Sequence, residues 1–340
     1  MEIGIDSFAA LQRDPASKRT AAPADRLERL VEEIVAADEA GLDDFGLGEH
    51  HRADYLDSAP AVILAAAATQ TKSIKLTTAV TVLSAADPVR VFQEYATLDL
   101  ISHGRVELTV GRGSFTEAFP LFGYRLQDYD ELFTEKLGLL LALNSSERVE
   151  WKGKFRAALH GEGVYPRPFQ PSLPIWLGVG GTPASFVRAG RLGLPLMVAI
   201  IGGTPDDFAP LVALYRRSGE QAGFGADRLK VGIHAFGYCA PTDEQAVSEF
   251  FPGYADGMDQ VGRERGWPAM TRQRFEAMRS ERGSLVVGSP ETVVRKIKRF
   301  DEVLGGISRF DFQMSPAALR HQELLAATAL IGSEVRPQLQ

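Results

Sequence analysis

The chain has a single cysteine, Cys239, among 340 residues, so an intrachain disulfide is excluded and a reducing compartment, the cytoplasm, is expected. It also lacks a positive balance. The formal net charge of -7 and pI near 5.5 remove the basic footprint of a nucleic-acid binder. No uninterrupted apolar run approaches membrane-spanning length, and the opening Met1-Glu2-Ile3-Gly4-Ile5-Asp6 has no basic segment followed by an apolar stretch. Neither a membrane nor a nucleic acid is therefore expected as a partner. Nothing reads as a linker, a low-complexity tract or a short repeat, and the Gly and Pro content is not that of a disordered chain. With 45% hydrophobic and 24% charged residues the chain can bury a large core, and one elaborated domain over 1–340 is the economical reading.

What is present is an alternation. Short β-branched or apolar runs at 2–8, 44–48, 74–83, 105–110, 174–179, 194–201, 230–239 and 308–314 read as strands. Each precedes a helical stretch, at 24–40, 58–72, 88–102, 128–143, 182–192, 204–222, 243 onward and 317–331. In the first of these Leu27, Leu30, Val31, Ile34 and Val35 share one face with charges opposite. Eight such units favour a closed (β/α)8 TIM barrel over an open doubly wound sheet. Two spacings break the rhythm. After the fourth unit, within 147–170, the run 149–155 reads as an extra hairpin. After the seventh, 251–284 reads as an insertion rich in Gly, Arg and Met, with Arg263, Arg265, Arg272 and Arg274. A lid is expected there, although a surface helical insertion with solvated charges fits the same composition. A further amphipathic helix at 291–303 leads into the last strand.

In such a barrel the chemistry sits at the C-terminal ends of the strands. The second strand ends in Gly48-Glu49-His50-His51, two adjacent histidines out of six in the chain. Successive strand residues point to opposite faces, so both imidazoles can reach one pocket only if the strand has already ended in a loop. Proton transfer suits a group that titrates near neutrality; a hydrogen-bonded structural pair and metal ligation are the alternatives. His103, His160, His234 and His321 do not gather at other strand ends on this reading, and no metal site is expected. The fourth strand ends in Gly111-Arg112-Gly113-Ser114 and the fifth in Gly180-Gly181-Thr182, followed by Pro183-Ala184-Ser185 at a helix start. That helix start is either a capped terminus, with Thr182 as N-cap and Pro183 at the first position, or an anion site on free backbone N–H groups. Arg112 adds a cation able to hold a phosphate bidentately, and the two features together favour a phosphate-bearing ligand. A dinucleotide fingerprint, a Walker A sequence and a zinc-protease motif are all missing.

Gly48-Glu49-His50-His51, the run 74–83 with Asp87-Pro88-Val89-Arg90, Ser102-His103-Gly104-Arg105, Gly111-Arg112-Gly113 and Val287-Gly288-Ser289-Pro290-Glu291 occur in an order that resembles the flavin-dependent luciferase-like monooxygenases. The resemblance covers nearly the whole chain. It implies a (β/α)8 barrel with FMN at its C-terminal face, a small-molecule substrate, O2, and a separate flavin reductase, since no nicotinamide fingerprint is visible. It implies that Arg112 holds the phosphate with Thr182 and Ser185. Gly181 stands where the luciferase catalytic subunit has a glutamate, so the backbone N–H groups of Gly180 and Gly181 would carry more of the binding. The Ala79-Val80 peptide matches a position where the family often has a non-proline cis bond under the isoalloxazine ring. His50 matches the proton-transfer histidine, and Glu49 and His51 are expected to hold its orientation and tautomer. Gly111 stands where luciferase has a reactive cysteine, which is expected to leave room beside the ring and argues against light emission. Phe8, Phe236 and Phe312 are expected to pack the barrel, with one of them bordering the ring. A homo-oligomer, a dimer or larger, is expected. The rival readings are a deazaflavin-dependent reductase or dehydrogenase of the same fold, a flavin-binding protein without turnover, and a metal-dependent barrel hydrolase.

Overall fold

The computed structural model describes residues 1–11, 20–113 and 115–340, which leaves Ser114 of the fourth strand end outside the described residues. Its strands are β1 (Glu2–Ser7), β2 (Asp44–Leu47), β3 (Lys75–Thr78), β4 (Thr81–Val82), β5 (Leu108–Gly111), β6 (Arg148–Trp151), β7 (Leu159–Gly163), β8 (Ile175–Val179), β9 (Leu196–Ala199), β10 (Val231–Cys239), β11 (Val286–Gly288) and β12 (Arg309–Gln313). Between them run α1 (Pro23–Glu39), α2 (Pro60–Ala68), α3 (Pro88–Ile101), α4 (Ala118–Leu121), α5 (Tyr129–Ser145), α6 (Pro183–Leu192), α7 (Pro205–Gln221), α8 (Asp243–Arg265), α9 (Arg272–Arg279), α10 (Pro290–Leu304) and α11 (His321–Leu330).

Neighbouring strands follow the order β3-β2-β1-β12-β10-β9-β8-β5-β4. β3 and β4 are two halves of one barrel strand, parted at Ala79-Val80, and both halves meet the next strand segment: Leu76 bridges Val106 in parallel, and Thr81 pairs with Val110. The ring closes there, giving a (β/α)8 barrel. Such strands are covered by helices outside and by each other inside, so they read as short apolar runs; β5 is buried along its whole length. β11, which the apolar pattern did not single out, pairs with β10 outside the ring.

The helix starts follow from local chemistry. Asp87 accepts from the Val89 N–H at 2.8 Å with Pro88 at the first helical position of α3, and Ser289 accepts from Thr292 at the start of α10. α1 departs from the expected pattern. Leu30 and Ile34 are buried as foreseen while Leu27, Val31 and Val35 are half-buried, and Arg26 and Glu33 share the buried face, joined by hydrogen bonds of 3.2 and 3.1 Å. A buried charge is tolerated only when paired, so periodicity that sorts charges outward misplaces this couple.

Both excursions exist, with different bounds. The hairpin pairs β6 with β7 antiparallel, so the run 149–155 supplies only part of one strand and the start of the connection. In the other, α8 continues unbroken to Arg265 and α9 follows, which makes 251–284 mostly helical. Its inner side buries Met270 and Phe275, the latter 5.0 Å from the Phe251 ring. Arg272 pairs with Glu276 at 2.8 Å and Arg274 donates to the Pro268 carbonyl at 2.7 Å.

Candidate active site

β2 ends at Leu47, so His50 and His51 lie in a loop and escape strand alternation, yet their rings take different partners. His50 Nδ1 lies 2.8 Å from Asp57 Oδ2, and the His50 backbone N–H donates to Asp57 Oδ1 at 3.1 Å. Asp57 is fully buried, and that burial pushes its carboxyl upward against the opposing pull of His50. Glu49 and His51 were expected to orient His50; in the structure it is Asp57 that bonds the His50 ring, at Nδ1, and no hydrogen bond to Nε2 is present among the described residues. Asp57 stands just before α2 and reads in sequence as helix-start polarity, which hides this role.

Glu49 and His51 have a separate task. His51 Nε2 lies 3.1 Å from Glu49 Oε1, while Glu49 Oε2 accepts from the Val82 N–H at 2.8 Å. The pair thus braces the loop after β2 against β4. The His50 ring meets Tyr55 at 4.6 Å, Phe8 at 4.7 Å and Phe115 at 5.5 Å, and burial pushes the Tyr55 phenol up to about 12. Phe8 lies one residue past β1, among these rings, whereas Phe236 and Phe312 are buried in the core.

The Ala79-Val80 peptide is cis, and both residues are half-buried at the barrel mouth. Val80 reaches over the neighbouring β5 to the strand beyond it, β8. A Cβ on Gly111 would lie 2.5 Å from Val80 Cγ2, and one on Gly178 would lie 2.6 Å from Val80 Cγ1. The room expected beside Gly111 is thus filled by Val80, and the two glycines are what let Val80 occupy the centre.

On the same barrel face, Arg112 follows β5 and Thr182 follows β8, and Arg112 Nη2 reaches Thr182 Oγ1 at 3.5 Å. Thr182 has the extended backbone of an N-cap but its side chain makes no capping hydrogen bond, which separates the two readings left open by sequence. Its hydroxyl serves Arg112 instead. Ser185 is buried in the first turn of α6, and no atom lies within 4 Å of where a side chain at Gly180 or Gly181 would begin. Arg112 also lies 4.7 Å over the Tyr129 ring and pairs at 2.5 Å with exposed Asp130. A second cation, Arg188 of α6, rests 5.5 Å over Phe133 with no ion pair among the described residues. Burial, then the neighbouring charge of Arg112, pull the Arg188 guanidinium below its ordinary range. Two arginines, a hydroxyl not used for capping and an open helix N-terminus fit a phosphate.

The apolar pattern of β10 conceals one more polar group. His234 Nδ1 bonds Asp6, although β10 and β1 are not neighbours, so this contact crosses the barrel lumen. Its ring stacks 5.8 Å from Phe8, which touches His50 on its other side. The expectation that His234 stands apart from the strand-end residues is corrected. His103, His160 and His321 lie respectively after α3, in β7 and at the start of α11. Among the described residues no group of three His, Cys, Asp or Glu side chains is arranged to hold a metal ion.

A profile described as luciferase-like monooxygenase matches residues 1–305. The chain is 26% identical over 283 residues to 4-hydroxyprotoasukamycin monooxygenase of Streptomyces nodosus subsp. asukaensis, across 80% of this chain and 76% of that one. It is 32% identical over 173 residues to the F420-dependent glucose-6-phosphate dehydrogenase of Amycolatopsis mediterranei, across 48% of this chain and 51% of that one. The chain thus spans about half the length of some of the curated relatives it matches. The oxygenating constituent of 3,6-diketocamphane monooxygenase from Pseudomonas putida, solved in complex with FMN, shares the fold with a TM-score of 0.79 at 22% identity, across 99% of this chain and 98% of that one. Flavin-dependent monooxygenases and F420-dependent oxidoreductases are both homologues, and the chain belongs to the luciferase-like monooxygenase family of enzymes.

Proposed function

We propose that the chain is a monooxygenase that uses reduced FMN and O2 on a small organic substrate. The observation that carries this reading is the meeting of Arg112 with Thr182 at the open start of α6, on the barrel face that also holds His50. The flavin phosphate would be held by Arg112, Thr182, Ser185 and the N–H groups of Gly180 and Gly181, with Arg188 adding charge. Ala79 and Val80 would lie under the ring. When bound, reduced FMN supplies the electrons for reaction with O2.

The chain's own residues do the rest. His50 moves a proton through Nε2, and Asp57 holds it in the tautomer that leaves that atom free. Glu49 and His51 keep β4 in place beside the floor. Phe8, Tyr55 and Phe115 wall the imidazole and exclude water. The segment 251–284 acts as the lid, because Arg52 of the loop after β2 bonds both Glu117 and Glu264 at 2.7 Å and so ties the end of α8 over the mouth.

A separate reductase supplies the reduced FMN, and the protein works as a homo-oligomer, a dimer or larger, in the cytoplasm. Helix α2 is apolar on nearly every side, yet Val62 is 70% exposed, and on α3 Leu100 and Ile101 are 41% and 43% exposed. A helix apolar all round needs cover, which a second copy would provide. A deazaflavin-dependent dehydrogenase or reductase is the second reading, favoured by the F420-dependent relative.

Titrating the apoprotein with oxidised FMN, reduced FMN and F420 tests the choice. Tightest binding of reduced FMN, with an oxygen-dependent absorbance transient in stopped flow, is the expected result. Preference for F420 with no such transient would move the assignment to the second reading.

A further inference from the structure

We propose that Asp44 and Asp311 hold one proton between them in the barrel lumen, and that Asp6 and His234 form its outlet to the active-site mouth. The inference rests on lumen geometry alone and holds for either cofactor.

Register puts these groups together. Gly4 on β1 pairs with Asp44 on β2 and with Asp311 on β12, and Asp311 pairs in turn with His234 on β10. Gly4 has no side chain, and the carboxylates take its space. A Cβ there would lie 2.5 Å from Asp44 Oδ1 and 2.7 Å from Asp311 Oδ1. Gly46 does the same for Asp6, whose Oδ1 would lie 1.8 Å from a Cβ at that position. The lumen between β1, β2 and β12 is therefore filled by carboxylates rather than by the aliphatic layers usual in such barrels.

These carboxylates are short of partners. Asp6 Oδ1, both oxygens of Asp44 and Asp311 Oδ1 are buried with no hydrogen-bond partner. Carboxylate oxygens bordering one gap cannot all remain ionised in a medium of low dielectric, and a shared proton supplies the missing donor. The other charges facing the lumen are Glu2, Glu107, Lys75 and Arg309. Arg309 is wholly buried and lies 3.3 Å from Asp44 Oδ2; its Nε and Nη2 bond Glu2 and Glu107, while its Nη1 makes no hydrogen bond among the described residues, to these carboxylates or to any other group. Burial and the charges of Asp44 and Asp6 drive the Asp311 carboxyl well above the carboxylate range, while burial, opposed by Arg309, pushes Asp44 up to about 7.

The path has one open end. Arg309 lies 4.6 Å over the Trp176 ring below the carboxylates, and a permanently charged guanidinium there opposes proton passage toward the lower rim. At the upper end Asp6 bonds His234 Nδ1, and His234 Nε2 has no protein partner among the described residues. In the forward direction His234 begins as its Nε2–H tautomer: the Asp311 carboxyl gives its proton to Asp6, Asp6 passes one to the vacant Nδ1, Nε2–H releases its proton to the mouth, and the neutral ring is left protonated on Nδ1. The reverse path refills the store, so it lends a proton in one step and recovers it in another.

Infrared difference spectroscopy of the apoprotein at neutral pH tests the store. A protonated-carboxyl C=O band is expected, lost in Asp311→Asn or in Asp44→Asn and retained in Asp57→Asn. Its absence, or its survival in both lumen variants, overturns the store. Dilution into D2O tests the outlet through the isotope shift of the same band. His234→Phe is expected to slow that exchange by about tenfold or more, as removal of a proton-transfer group does, and Lys75→Met at the lower rim is expected to leave it unchanged. Equal exchange in His234→Phe and the parent protein overturns the outlet.

Discussion

Two histidine–aspartate pairs stand on either side of Phe8, and they are built for different work. In the upper pair one residue uses the whole carboxylate: His50 engages both oxygens of Asp57, one through its ring and one through its backbone N–H. In the lower pair Asp6 gives one oxygen to His234 and leaves the other unpartnered, facing more carboxylates. A saturated carboxylate fixes a ring and a tautomer. One with a free oxygen in a field of like charges has a second place for a proton. The same two residue types thus give an orienting device at the mouth and an exchanging device in the lumen, and the difference lies in how many donors reach the carboxylate.

The largest expected effect would break the comparison if it failed. His50→Ala should reduce turnover with reduced FMN and O2 by about 10²- to 10⁴-fold, the usual contribution of a positioned acid or base. His234→Ala should cost less, about tenfold, because it supplies His50's neighbourhood rather than the reacting atoms. Equal losses measured by steady-state kinetics would erase the distinction. Next in size is cofactor anchorage, which neither pair provides. Arg112→Ala should weaken FMN binding by about 10- to 100-fold in a fluorescence titration, the loss of a charge-assisted contact. Asp57→Asn should leave that affinity within about twofold while lowering the melting temperature, since an amide cannot accept both His50 donors.

The pH dependence of stability separates the pairs further. Asp44 binds its proton more tightly folded, at about 7, than at the ordinary 3.8, so the folded state holds more protons between those values. Stability must then fall as pH rises through that window and level off above it. Asp44→Asn removes the titrating group. Thermal melts should show the variant gaining on the parent protein from about pH 4 to about pH 7, with no gain below that range. A parent protein whose melting temperature is flat across the window would contradict the protonated lumen.

How much of this was legible in sequence depended on whether a residue's role is set by its neighbours along the chain or across the barrel. The strands and their helices follow from runs and periods, so the closed barrel was readable from alternation alone. The placement of Arg112, Thr182 and His50 after strand ends was readable too, because strand ends are marked by glycine and polarity. Asp57 was not, since seven residues separate it from His50 and its place before α2 looks like helix-start chemistry. Asp6, Asp44, Asp311 and His234 were harder still. None belongs to a recognisable motif, and only the register between β1, β2, β10 and β12 brings them into one lumen. Gly111 misled for a related reason: a missing side chain reads as space until Val80, from the adjoining strand of the barrel, is seen to fill it.

The smallest expected effect concerns cover. The upper pair lies beneath a chain of side-chain contacts: Phe115 meets the His50 ring, Arg52 sits 4.6 Å over Phe115, and Arg52 reaches Glu264 at the end of α8, the segment proposed as the lid. The lower pair has only barrel around it. Exposed ion pairs add little to global stability, so Glu264→Gln should change the melting temperature by no more than about 2 °C. Local opening is a different quantity, because it depends on the few contacts that hold one segment down. Hydrogen exchange should therefore quicken in the last turns of α8 in Glu264→Gln while the amides of β10 around His234 keep their parent rates. If both regions quicken together, the lid and the barrel open as one unit, and the upper pair is no more accessible to movement than the lower.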